Sequence, residues 1–208
     1  MRSPDRVPAM MLATFAVVWV ALAIAPLYRQ DWLLENVIVL VALPLFVAGY
    51  RRLRFSNLAY ACLFAFLVLH EIGAHYTYSE VPWREWWMAL GGPPPASGRN
   101  HYDRLVHFSY GLLLLPVARE LHEQRAPSRR PWAWLLPLLF LMSHSVIYEL
   151  VEWQAAEVFG GDLGAAYLGT QGDPWDAQKD MAMAALGALA GTLLYALRPR
   201  REPARPPG

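Results

Sequence analysis

Charge and cysteine are scarce in this sequence. Charged residues make up 17% of the 208, and Cys62 is the single cysteine. One thiol excludes an intramolecular disulfide and any Cys-rich zinc module. The 18 basic and 17 acidic residues leave a net charge of +1, which argues against a nucleic-acid partner. No internal repeat is visible, and no segment reads as a soluble domain. Disorder is excluded for all but the C-terminal tail, because a chain that is 56% hydrophobic buries its apolar surface. What the chain has instead is 9 Trp, a mean hydropathy of +0.22 and long apolar runs. These define an all-α, polytopic membrane protein whose first partner is the lipid bilayer.

Six stretches approach the ~20 residues that ~30 Å of hydrocarbon requires. They are 10–27, 33–50, 57–74, 105–121, 132–151 and 180–197. The first is expected to stay as a span, since Tyr28, Arg29, Gln30 and Asp31 at its end lack the small-residue pattern of a signal-peptide cleavage site. The connections alternate in charge. The N-terminus, the turn at Arg51, Arg52 and Arg54, the loop from Arg119 to Arg130 and the tail carry 13 Lys/Arg and 4 Asp/Glu. The opposite side carries 5 and 13. The basic side is cytoplasmic by the positive-inside rule, so both termini lie inside, in agreement with an even number of spans. The expected organisation is a six-helix transmembrane bundle over 1–197 and a disordered basic cytoplasmic tail over 198–208. Trp32, Trp83, Trp86, Trp87, Trp153 and Trp175 fall near the outer boundary, and Trp132 and Trp134 near the inner one, as in an aromatic belt. The last span offers a small-residue face of Ala184, Gly187, Ala188 and Gly191. The stretch 91–100 (GGPPPASGRN) reads as a loop.

The ionisable residues cluster by depth. At ~1.5 Å per residue, His70 lies about 24 Å up the third span, Glu149 about 26 Å up the fifth and Asp180 about 27 Å up the sixth. Asp103 and His107 open the fourth span at the same outer level. Phase adds to depth. Glu71 and His75, Asp103 and His107, and Asp176 and Asp180 are each four apart, while Glu149 and Glu152 are three apart. Each pair shares one helical face. A charge facing lipid costs at least ~2.5 kcal/mol, so these faces are expected to point into the bundle. Carboxylates gathered in this way repel one another and need cations. The available ones are a metal, protonated histidines, or Arg84, Arg99, Arg104 and Lys179. A divalent metal ion with His and Asp/Glu ligands resolves the conflict most simply.

Each motif also has a plainer reading. His70-Glu71-Ile72-Gly73-Ala74-His75 resembles H-E-x-x-H by eye, but its second histidine comes one residue late. The two rings lie ~140° apart unless the helix breaks at Gly73. Asp103 can serve as a helix-start cap. Asp173 reads as an N-cap, with Pro174 at the first helical position and Asp176 in the first turn. Capping leaves Asp180 unexplained, and Glu149 follows the apolar Val146 and Ile147. His144 reads as a buried neutral histidine bonded to another helix.

The segments HEIGAHYTYSEVP (70–82), NHYDRLVHFSYG (100–111), YELVEW (148–153) and GTQGDPWDAQKDM (169–181) resemble the YjdF-type family of bacterial inner-membrane proteins. A more distant resemblance is to VanZ-like membrane proteins. It rests on Asp103-Arg104-x-x-His107-Phe108, with Glu149-x-x-Glu152 and Asp176-x-x-x-Asp180 carrying acids where VanZ has amides. The expectation is an inner-membrane protein with an outward-facing acid/His site of Asp103, His107, Glu149, Asp176 and Asp180. His70, Glu71, His75 and Glu152 are further candidate metal ligands. The expected chemistry is metal-dependent hydrolysis or transfer on a lipid-linked or envelope small molecule. A proton- or ion-coupled transporter and a non-catalytic scaffold stay open, as does the oligomeric state.

Overall fold

The computed structural model describes residues 5–94, 98–159, 161, 164 and 168–197. The expected tail over 198–208 lies outside them, as does part of the 91–100 loop. Among the described residues there are six long helices: α1 (Arg6–Ala23), α2 (Arg29–Gly49), α3 (Asn57–Tyr76), α5 (Tyr102–Arg125), α6 (Trp132–Phe159) and α7 (Asp176–Ala196). A short helix, α4 (Trp83–Ala89), sits between α3 and α5. No strand occurs among the described residues. Each expected span coincides with a long helix. By length and composition, α1, α2, α3 and α6 are apolar enough to cross a membrane. The helices α5 and α7, of 24 and 21 residues, are long enough to be compared with these four, but their ends carry the charges of the site.

Local chemistry explains where the boundaries shift. The first helix ends earlier than expected, at Ala23, because Pro26 disfavours right-handed helix at the residue before it; Ile24 is already extended and Ala25 takes a positive φ of 48°. The Arg29 guanidinium then caps the exposed Ala23 carbonyl at 2.7 Å. Leu27 N–H donates to the His75 carbonyl at 2.9 Å, tying this turn to the end of α3. At the opposite end Ser56 caps α3, its Oγ accepting from Ala59 N–H at 3.2 Å and donating to Glu120 at 2.6 Å.

The α5 helix is the hub, packed against α3, α6 and α7. Its closest partner is α7. Ala184, Gly187, Ala188 and Gly191 are buried along one stripe of α7, as their spacing implies. A Cβ on Gly187 would run into the Phe108 carbonyl, and one on Gly111 into the Ala184 carbonyl. The two backbones therefore touch. Asp176 and Asp180 continue the same buried stripe, so the packing that joins the helices also delivers both acids to α5. Below them lies a core of Leu115, Ala118, Leu141 and Ala188. At the basic end Arg119 stacks 3.9 Å from the Tyr195 ring centroid and 4.6 Å from that of Trp134.

The outward surface is apolar, with Val17, Leu45, Leu193 and Leu194 all exposed, which suits a bilayer and not water. Trp86, Trp87, Trp132, Trp153 and Trp175 are exposed as an interfacial belt requires. Trp32 is not. It is buried against Trp19, with ring centroids 5.5 Å apart.

Candidate functional site

Two arginines organise the acidic end. Arg104, in the first turn of α5, pairs with Asp176 and Asp180 of α7, and its guanidinium lies 3.5 Å from Asp173. Arg99 reaches Asp103 at 2.9 Å, and also Asp176 and the Thr170 carbonyl. Lys179 holds Asp173 at 2.6 Å. That ammonium, with the Trp175 N–H, holds the Asp173 carboxyl below the usual carboxylate range. Asp173 caps the turn before α7, not the helix itself, which starts at Asp176 with Trp175 at its N-cap. Likewise Asp103 sits inside α5, and Asn100 Oδ1 receives the Tyr102 N–H at 3.0 Å.

Asn100 also locks the mouth of the site. Its amide donates to the carbonyls of Ser79 and Val81, both at 2.8 Å. Its backbone exchanges hydrogen bonds with the Gln171 side chain at 2.8 and 3.0 Å. Gln171 takes a left-handed φ of 49° and Gly172 one of 81°, which turns the chain back into α7. Asn100→Ala removes several buried hydrogen bonds and should cost about 1–3 kcal/mol. A thermal unfolding midpoint in detergent equal to the wild type's would contradict this clamp.

Deeper in, three side chains from three helices meet. His107 Nε2 (α5) lies 3.7 Å from Glu149 Oε1 (α6) and 3.9 Å from Asp180 Oδ1 (α7). The ligand atoms of this trio all fall within 4.8 Å of one another, as do those of Asp103, Asp176 and Asp180. The second trio already has cations, Arg99 and Arg104, and Arg104 also pairs with the Asp180 Oδ1 that the first trio shares. In the first, Glu149 Oε1 is buried without a hydrogen-bond partner among the described residues.

The other sequence candidates separate. The α3 helix runs unbroken through Gly73, so His70 and His75 diverge. His75 Nδ1–H donates to the Leu22 carbonyl at 2.8 Å, away from the site. Glu71 is wholly buried beside Asn36 of α2. His70 faces a cavity that also exposes His107, Glu152 and Asp180. Its Nε2–H donates to the Glu35 carbonyl at 3.2 Å and its Nδ1 accepts the Tyr78 hydroxyl at 2.6 Å. Tyr78 reaches back because Gly73 leaves room for its ring, which a Cβ there would meet at 2.6 Å. His144 corrects an expectation: it is exposed and bonds its own helix, Nδ1–H to the Phe140 carbonyl at 2.9 Å.

Sequence reasoning missed the contribution of α2. Asp31, Glu35 and Asn36 are buried at its start, and Thr77 donates to Asp31 at 3.2 Å. Tyr148 donates to Glu35 at 3.1 Å while its ring packs edge-on to His107, linking α2 to the trio. The signal was available, since Asp31 and Glu35 are four apart and enter an apolar window.

An all-helical bundle with an apolar exterior and a buried ionic site at one end defines an integral membrane protein. Residues 7–201 match the family described as "Predicted membrane protein (DUF2238)", and the chain belongs to that family. It is also 36% identical over 172 residues to the inner membrane protein YjdF of Escherichia coli strain K12, covering 81% of this chain and 78% of that protein. Relative, family and apolar helices together locate the protein in the bacterial inner membrane. No solved structure matches.

Proposed function

We propose that this is a six-span inner-membrane enzyme with both termini cytoplasmic and its ionic site opening outward. Its reaction is hydrolysis or group transfer on a lipid-linked or envelope substrate, assisted by one divalent metal ion. The observation that carries this reading is the trio His107, Glu149 and Asp180, from three helices and within 4.8 Å of one another. One imidazole and two carboxylates form a borderline-hard donor set with open positions for water or a phosphoryl or carbonyl oxygen. Glu149 Oε1 has no hydrogen-bond partner among the described residues, and a cation there would satisfy it.

The remaining residues divide by position. Asp103 and Asp176 hold Arg99 and Arg104, and Arg104 in turn fixes Asp180. They are positioning residues. Glu152 lines the cavity one helical turn beyond Glu149 and is placed to accept a proton from an attacking water. The carrier reading finds one supporting feature, a cavity that continues to Leu53 and Phe55 toward the basic end. Its lower wall is apolar, which disfavours an ion or proton path.

Elemental analysis of the detergent-purified protein tests the proposal. One equivalent of a divalent metal is expected in the wild type and in Asp173→Asn. It should be lost in His107→Ala and Glu149→Gln, with folding retained. A wild type without metal after growth and purification in metal-supplemented, chelator-free medium would contradict the ion-assisted reading.

A further inference from the structure

The cavity between α2, α3, α5 and α6 holds about 600 Å³ and changes character along its length. At the acidic end it is lined by Asp31, Glu35, Asp103, Glu152 and Asp180, and neither Lys nor Arg lines it among the described residues. Farther down, its wall is hydrocarbon, including Ala42, Leu45, Leu63 and Leu114. Ser145 lines it too. Its hydroxyl is buried, with the residue 4% exposed, and has no hydrogen-bond partner among the described residues.

One side is open. Ile38 and Leu45 of α2 line the cavity yet are 49% and 67% exposed. Ile147 and Val151 of α6 line it and are 54% and 57% exposed. The gap therefore lies between α2 and α6, bridged at its acidic end by the Tyr148–Glu35 hydrogen bond. Both helices are apolar enough to cross the membrane, so the gap faces hydrocarbon. From Ile38 to Gly49 the α2 wall rises ~16 Å. That is about half of a ~30 Å bilayer core, room for much of a long hydrocarbon chain below the acids.

We propose that this cavity takes one hydrocarbon chain of a membrane amphiphile, entering sideways between α2 and α6, with an amine-bearing head held by Asp31, Glu35 and Glu152. Asp103 and Asp180 are held by Arg99 and Arg104, which leaves Asp31, Glu35 and Glu152 to the head, and three carboxylates in a cavity lined by neither Lys nor Arg among the described residues favour a cationic head over an anionic one of the same chain length. The inference names a substrate class for the proposed site and rests on that reading. Binding needs neither metal nor turnover, so the two are tested apart.

The probes are hexadecylamine and palmitate, each with a diazirine on its chain, added to the full-length protein in phosphatidylcholine nanodiscs. The amine probe is expected to label α2 and the Leu114 face of α5, and to be competed by unlabelled hexadecylamine. Ala42→Trp and, as a second plug, Leu114→Trp fill the hydrocarbon part of the groove, so competed labelling by the amine probe should be lost in both. Glu35→Gln should reduce the preference for amine over palmitate. Labelling should survive removal of metal by a chelator from the wild-type protein, so failure of the metal reading does not disturb this result. Labelling spread equally over the outward face of α1 and unchanged by either plug would overturn the proposal. So would equal labelling by both probes.

Discussion

Replacing Arg104 with methionine is expected to lower stability by about 3–5 kcal/mol, the usual cost of removing one partner from a buried ion pair. Arg104 is 9% exposed and faces Asp103, Asp173, Asp176 and Asp180 from two helices and the loop before α7. Without it, the buried Asp176 and Asp180 carboxylates stand against one another. Arg104→Lys keeps the charge but loses the planar fork that meets Asp176 and Asp180 together, so its effect should be intermediate. Unfolding in mixed micelles with increasing denaturing detergent measures the difference. Equal stability of Arg104→Met and the wild type would mean that these acids are solvated and that the ionic site is misdrawn.

The second large effect is expected at a crossing that contains no charge. Gly111→Leu and Gly187→Leu each place a side chain where the backbone of the facing helix stands. Overpacking of ordinary cores costs about 1–3 kcal/mol. Here the obstacle is backbone that cannot rotate away, so the loss should exceed that range. Gly191→Ala is the control, because its Cβ first meets the flexible Leu115 Cδ2, at 3.0 Å. The leucine variants should also lose the proposed metal, although neither residue touches a proposed ligand, because α7 carries Asp180 on the stripe that the glycines pack. Retained stability and retained metal in both variants would contradict the close α5–α7 contact.

Much of this arrangement was legible in the residues themselves. The α7 stripe was, because Asp176, Asp180, Ala184, Gly187 and Gly191 share one helical phase, and phase is what a sequence displays directly. The approach of His107 to Glu149 and Asp180 agrees with the depth counted along each span, while Asp103 lies with Asp176 and Asp180. Partner choice between helices was not legible. His75 shares a helical face with Glu71, yet α1 ends beside it and the Leu22 carbonyl accepts its N–H. Arg99 and Arg104 stand out in the sequence as possible cations. Only the packing of α5 on α7 shows that they occupy the Asp103, Asp176 and Asp180 group, which moves the expected metal to His107 and Glu149. Asp31 and Glu35 were overlooked because charge at the start of a span is ordinary. Their burial depends on Tyr148 and Thr77, which arrive from elsewhere in the chain.

Pulsed electron paramagnetic resonance of the Cu²⁺-loaded protein tests the central claim most directly, that side chains of α5, α6 and α7 form one cation centre. The account predicts modulation from a single imidazole nitrogen, lost in His107→Ala and unchanged in His70→Ala and His75→Ala. Bound copper whose nitrogen signal survives His107→Ala, or vanishes with His70→Ala or His75→Ala, would contradict it.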